Sequence, residues 1–328
     1  MKPFVRHDAF SFPKAAVMCA FSICTLSSAR AEWPAHVFAP YMYLGSGDHF
    51  KLTDCDDACG LKYYTLAFII ADKENNPAWD GRTPLETNLY ADQINAIRQR
   101  GGDVIVSFGG EAGKDLALVE PAVEKLQDKY QSVIDRYKFT WLDFDIEGKQ
   151  LEDDQANQHR NTALAALQAK NPGLMVSYTL PVDPNGISKH SQQLLTDAKA
   201  KGLNVKSANV MTMYFGPRFT KDKKLSDVCI ASVLKAHEQC QQIEPAIQIG
   251  ITPMIGKGGD KGLEVFTVDD AKAVRDWASE HPWVCSLSFW SVNRDSGKPS
   301  KEGTGNMASG MEQQPFDYSK AFNTFTSK

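Results

Sequence analysis

The sequence predicts an α/β fold, a single (β/α)8 TIM barrel, and three observations carry that expectation. Eight short apolar runs recur along the 328 residues, amphipathic helical stretches fill most of the gaps, and three carboxylates alternate with apolar residues in and just past the fourth run. Alternating strands and helices favour a parallel sheet closed on itself, and about 250 residues is the usual size of one such barrel.

The strand expectations follow from short runs rich in aromatic and β-branched residues. They are 36–43 (HVFAPYMY), 63–71 (YYTLAFIIA), 103–108 (DVIVSF), 141–146 (WLDFDI), 174–180 (LMVSYTL), 208–214 (ANVMTMY), 246–251 (AIQIGI) and 284–290 (VCSLSFW). Helical periodicity predicts helices over 90–99, 121–137, 155–169, 191–200, 228–241 and 268–279. An open doubly wound sheet is the alternative architecture. No GxGxxG follows the first run and no Walker lysine loop occurs, which disfavours nucleotide binding. The glycine-rich KGGDKG at 257–262 reads as a flexible surface loop without a phosphate role.

The first 31 residues read as a secretory signal peptide. Lys2, Arg6 and Lys14 precede an apolar run from Ala15 to Leu26, and Ala29-Arg30-Ala31 supplies small residues for cleavage after Ala31. The run is too short for a membrane span, which needs about 20 apolar residues. The chain from 32 to 328 is then one domain, secreted to the periplasm or the exterior. Removing the signal lowers Lys+Arg from 36 to 32 and Asp+Glu from 40 to 39, a net charge of −7. That charge disfavours nucleic acid and anionic membrane as partners and suits a neutral polysaccharide.

Five cysteines remain after position 31. Cys55 and Cys59, in the expected loop DCDDACG, are placed to close a small disulfide. Cys229 and Cys240 would lie about 16 Å apart on one helix, too far to pair unless the chain turns between them. Cys285 reads as a buried free thiol.

Residues 139–148, FTWLDFDIEG, are the densest chemical signal. In a strand, Asp143, Asp145 and Glu147 point to one face while Leu142, Phe144 and Ile146 point to the other. Three like charges this close resist simultaneous ionisation, so the cluster is expected to retain a proton at neutral pH and to titrate as a unit. A retained proton is what an acid catalyst needs. Solvated strand edges and metal sites also carry alternating acids.

This run resembles the DxxDxDxE motif of family 18 glycoside hydrolases, the chitinase family, with Thr140 at the first Asp position. Further segments resemble a bacterial chitinase subgroup in order: Ser107-Phe108-Gly109-Gly110 (SxGG), Ser177-Tyr178-Thr179-Leu180-Pro181, the sixth strand within 209–216, Thr252-Pro253-Met254-Ile255-Gly256, and 288–295 (SFWSVNRD). The tail 306–322 resembles the subgroup's closing helix. The resemblance implies hydrolysis of chitin or chitooligosaccharides with retention of configuration, the substrate's 2-acetamido oxygen acting as nucleophile. Glu147 would be the general acid, Asp145 would align the acetamido group, and Asp143 would share a proton with Asp145. Trp290 would form the floor beneath the sugar, with Tyr41 and Phe68 as further contacts. The sixth strand departs from the pattern, because Tyr214, after Met213, stands where the subgroup has an aspartate. No metal or cofactor is implied. Two alternatives share the resemblance: an endo-β-N-acetylglucosaminidase acting on N-glycans and a non-catalytic chitin-binding lectin. The lectin is disfavoured by the presence of Glu147.

Overall fold

The computed structural model describes residues 32–45, 51–258, 263–298 and 305–326 besides Met1. The expected signal peptide and its cleavage position lie outside these residues, as do positions 259–262 of the KGGDKG segment. Residues Ala31–Lys328 form one compact unit.

Eight parallel strands are present. They are β1 (Val37–Phe38 and Tyr41–Tyr43), β2 (Tyr63–Ala71), β3 (Asp103–Gly109), β4 (Trp141–Asp145), β5 (Met175–Asp183), β6 (Val205–Thr212), β7 (Gln248–Pro253) and β8 (Val284–Leu287). Each of β2 to β8 pairs in parallel with the next in order. The split strand β1 closes the ring, because Val37 and Phe38 register with Ser286 and Leu287 of β8 while Tyr41–Tyr43 register with Thr65–Ala67 of β2. Pro40 at the break has no N–H to donate, yet its carbonyl still accepts from Thr65 N at 2.9 Å. The predicted (β/α)8 barrel is therefore the observed fold.

The six predicted helices are observed, Val268–Ser279 at the expected bounds and the other five, such as Ala91–Gln99, with shifted ends. Side-chain caps set several starts. Asp153 accepts from Ala156 N, Ser188 from Ser191 N, and Thr267 forms a reciprocal capping box with Asp270. The helices bury one apolar stripe each against the outward faces of the strands, for example Leu126, Tyr130 and Val133 in Val123–Tyr137.

Inside the barrel, side chains alternate inward and fall into three layers. At the N-terminal end Val37, Ala39, Ile105 and Trp141 form an apolar plug, against which Trp33 packs. The middle is a layer of hydroxyls, amide and carboxyl groups: Thr65, Ser107, Asp143, Ser177, Thr179, Asn209 and Thr252, all buried. At the C-terminal end Tyr41, Ala67, Phe68 and Ile70 cluster with Trp290 packed against them.

Two residues of the Ser288–Asp295 segment tie earlier and later segments of the chain to the barrel. The buried Arg294 guanidinium donates to the carbonyls of Ile255, Lys257 and Gly305. Asp295 accepts from the backbone and hydroxyl of Ser319, both at 2.8 Å, and from Gln313 at 2.6 Å.

Several expectations are corrected. The DCDDACG segment is helical, within Leu52–Cys59, and no disulfide joins its cysteines: Cys55 is buried and the Cys59 thiol donates to the Cys55 carbonyl at 3.1 Å. Cys229 and Cys240 lie on the continuous helix Leu225–Ile243, which does not turn between them, and both are free and buried. Cys285 is a buried free thiol, as expected. Lys257 and Gly258 belong to a short strand paired with Glu264–Phe266 rather than to a loop. The closing helix spans only Asp317–Asn323, since Pro315 lies just ahead of it and 306–316 is irregular. Denatured, unreduced protein of residues 32–328 is expected to titrate five thiols with Ellman's reagent, the number of free cysteines here; a count reduced by two would reinstate the Cys55–Cys59 bond.

Candidate active site

The carboxylate run crosses the barrel interior at the C-terminal end of β4. Asp143 and Asp145 lie within the strand and are 2% and 5% exposed. The strand stops at Asp145, so Glu147 falls just beyond it. Its backbone stays extended (φ −141°, ψ 169°), and the Ile146 N–H still reaches Thr179 O at 3.0 Å. Glu147 then opens the helical turn Gly148–Leu151.

Asp143 accepts four hydroxyl hydrogen bonds. Tyr41 and Ser107 donate to Oδ2 at 2.8 and 2.7 Å, and Ser177 and Thr179 donate to Oδ1 at 2.8 and 2.9 Å. Three strands, β1, β3 and β5, thus converge on one carboxyl. Burial pushes its pKa up and the hydroxyls oppose that shift, because they stabilise the anion. The expected proton sharing with Asp145 is not what the geometry shows: Asp143's oxygens are occupied by hydroxyl donors, and no hydrogen bond joins the two carboxyls among the described residues. Asp145 has the opposite surroundings. Its Oδ1 is buried without a hydrogen-bond partner. Burial, reinforced by Glu147, Asp143 and Glu111, pushes its pKa well above the usual carboxylate range. Glu147 is half-buried, and burial together with the charge of Glu111 raises it to about 7. Two carboxyls of one strand are thereby separated into a hydrogen-bonded acceptor and a group that resists ionisation, with a third poised near neutrality.

Tyr41 links this cluster to the aromatic layer. Its ring lies 6.2 Å from that of Phe68 and 5.9 Å from that of Trp290, and Phe68 and Trp290 stack at 5.7 Å and 11°. Tyr43 adds a contact to Trp290 at 5.6 Å. Phe68 is the extra residue at a register shift between Ala67 and Ile69, which places it at the barrel mouth. Met213 and Tyr214 lie beyond the end of β6. The Met213 N–H bonds back to Met211 O at 2.9 Å, and Tyr214 takes φ 56°. Tyr214 is 58% exposed. The site thus brings together Asp143, Asp145, Glu147, Tyr41, Phe68 and Trp290, and sets Met213 and Tyr214 at its edge.

Comparison with known proteins identifies the scaffold. The catalytic domain of a hyperthermophilic chitinase from Pyrococcus furiosus is 34% identical, superposes with a TM-score of 0.80, and is matched over 90% of this chain and 96% of its own. This chain belongs to the family 18 glycoside hydrolases. Among curated proteins, a probable bifunctional chitinase/lysozyme of Escherichia coli K12 is 31% identical over 81% of this chain and 32% of its own length. Endochitinase 11 of Metarhizium anisopliae is 30% identical over 81% of this chain and 54% of its own. The chain therefore spans about a third to a half of the curated relatives it matches. No protein-family model matches the chain. A family 18 chitinase from Chromobacterium violaceum, at 11% identity and a TM-score of 0.57, shares the fold.

Sequence reading within the family 18 pattern did not single out Ser107, Ser177 and Thr179 as partners of Asp143, nor Glu111 as an acid near Glu147. The hydroxyl residues carried a signal: each lies an even number of residues from its inward neighbours on β3 or β5, so period-two alternation alone turns them toward the barrel axis. Asn209 extends the same layer, donating to Thr179 Oγ1 at 2.9 Å and accepting from Thr252 at 2.8 Å.

The pKa shifts give a sign for stability. Asp145 and Glu147 hold protons more tightly when folded than when unfolded, so their contribution is fully present below the ordinary carboxylate range; that of Glu147 is lost as pH rises through about 7, and that of Asp145 as pH rises through its raised pKa. Asp145→Asn should therefore stabilise the fold at pH 8, with the gain shrinking toward pH 4. Urea melts at the two pH values measure it, and a variant less stable than wild type at pH 8 would contradict it.

Proposed function

We propose that this protein is a secreted chitinase that hydrolyses β-1,4 bonds between N-acetylglucosamine units by a retaining, substrate-assisted mechanism. The observation that carries the reading is the buried Asp145 Oδ1 without a donor beside a Glu147 whose proton is held to about pH 7. A buried acceptor left unpaired costs about 1–3 kcal/mol, and a sugar acetamido N–H is a donor of the right kind to satisfy it. Held there, the acetamido oxygen attacks the anomeric carbon as the glycosidic C–O bond breaks, and Glu147 gives its proton to the departing oxygen. The resulting oxazolinium ion is opened by water, whose proton returns to Glu147. Asp143 remains the anchor that fixes β4. Trp290, stacked on Phe68 and flanked by Tyr41, offers the sugar an apolar floor, and Met213 and Tyr214 line its edge.

The relatives support this substrate class. Catalytic-site mutants of the Pyrococcus furiosus chitinase domain, 33% identical to this chain, were solved with chito-oligosaccharides. Export follows from the signal-like segment 1–31, and an exported chain beginning at Glu32 in mass spectra would support it. Among the described residues no helix is long and apolar enough to cross a membrane. No metal or cofactor enters the proposed steps. The exposed Tyr214, in place of an acid, is what favours the second reading, a chitin-binding lectin.

Hydrolysis of chitotetraose by the 32–328 chain, run beside Glu147→Gln, separates the two. Turnover should fall by about 10²–10⁴-fold in the variant, the usual worth of a general acid. Saturable binding of chitotetraose with no turnover by either protein would establish the lectin instead.

A further inference from the structure

Gln150 has no part in the steps above, yet its amide holds the backbone that carries Glu147. β4 ends at Asp145, and the chain passes through Ile146 and Glu147 into the four-residue helical turn Gly148–Leu151. So short a turn is not stable by itself, and its start is closed by Gln150 N donating to Glu147 O at 3.2 Å. Ahead of Glu147 the backbone is fixed to β5, because Ile146 N donates to Thr179 O at 3.0 Å. Behind it the tie is the Gln150 side chain. This side chain is buried, and its Nε2 donates to Gly110 O at 3.0 Å and to Gly113 O at 3.4 Å. Both partners are carbonyls, so only the nitrogen side of the amide can face them, and Oε1 is left buried without a partner.

The segment that receives these bonds is held in its turn. Gly109 and Gly110 take φ values of 91° and 87°, in the left-handed region. A Cβ on Gly109 would collide with the Asp145 carbonyl, and one on Gly110 would come within 2.8 Å of the Phe68 ring. Glycine is therefore what lets the exit of β3 pass so close to β4, where Gly110 N donates to Asp145 O at 2.9 Å. At the other end Asp115 caps Ala117 N and pairs with the fully buried Arg160 at 2.8 Å. Arg160 also donates to Asn157 Oδ1 at 2.6 Å, and Asn157 Nδ2 donates to Leu151 O at 2.9 Å, which closes a second route back to the turn. Glu147 thus stands between two fixed points. Its own carboxyl does not cap the turn, so the backbone beneath it sets where the side chain starts.

We propose that Gln150 is a positioning residue for the general acid: by clamping the turn Gly148–Leu151 to the β3 exit, it holds Glu147 where its proton reaches the departing glycosidic oxygen. The inference rests on the chitinase reading. Proton transfer needs hydrogen-bond reach, and a misplacement of about 1 Å can cost about 10²-fold in rate. A departing sugar alkoxide needs that proton, whereas a dinitrophenolate is stable enough to leave without it. Loss of the clamp should therefore slow cleavage of a sugar–sugar bond and spare an activated aryl glycoside. A general loosening of the barrel mouth would slow both.

The test compares kcat/KM of the wild-type 32–328 chain and Gln150→Met on chitotetraose and on dinitrophenyl chitobioside. Methionine is unbranched and flexible enough to fill the space, and it offers no donor to the two carbonyls. The variant should lose about tenfold or more on chitotetraose and stay within about twofold of wild type on the aryl substrate. Equal losses on the two substrates, or no loss on chitotetraose, would overturn the proposal while leaving the chitinase reading intact. Absence of wild-type turnover on both substrates would overturn the chitinase reading and the proposal with it. Should Gln150→Met fail to fold, Gln150→Asn, whose amide is one methylene too short to reach both carbonyls, decides by the same ratio: a loss confined to chitotetraose supports the proposal, and any other result overturns it.

Discussion

The carboxyl of Asp143, buried at the barrel axis with four hydroxyl donors, is the constraint on which the rest of the site depends. Tyr41, Ser107, Ser177 and Thr179 come from three strands and meet on two oxygens. Burying a carboxylate without partners would be costly, and donors of this kind are what make it tolerable. The convergence fixes β1, β3 and β5 around β4 and sets the height of Asp145 and Glu147 above it. Burial, and then the charges of Glu147 and Asp143, raise the pKa of Asp145, while the hydroxyls oppose the same effect of burial at Asp143. The two carboxyls differ because the hydroxyls lie around only one of them.

The same anchor places the aromatic layer. Tyr41 donates to Asp143 through its phenol and presents its ring to Trp290 and Phe68. One side chain therefore couples the charged interior to the apolar floor at the mouth. Arg294 and Asp295, just past Trp290, hold the loops after β7 and the last helix to the barrel, so the floor is braced from behind as well.

Much of this was legible in the sequence because it rests on short-range periodicity. Short apolar runs identified the eight strands, period-two alternation turned Asp143 and Asp145 to one face, and 3.6-residue periodicity found the six helices. What was missed depends on distant partners or on special backbone. The assignment of protons between Asp143 and Asp145 needed the hydroxyls of three other strands. Glu111 comes near Glu147 only because two glycines with positive φ carry the β3 exit across β4. The helix Leu52–Cys59 is short, with only Leu52 and Cys55 buried, too faint a stripe to register as helical. The bulge at Phe68 and the turn that lifts Tyr214 out of β6 leave no mark in hydrophobic alternation.

In the proposed reaction the substrate's own acetamido group, steadied by Asp145, takes the place of an enzyme nucleophile while Glu147 moves the proton. Time-resolved 1H NMR of chitotetraose hydrolysis tests it most directly. The account predicts that newly formed reducing ends appear first as the β-anomer and that cellotetraose, which lacks the acetamido group, is left intact. Initial release of the α-anomer, or cleavage of cellotetraose at a comparable rate, would contradict it.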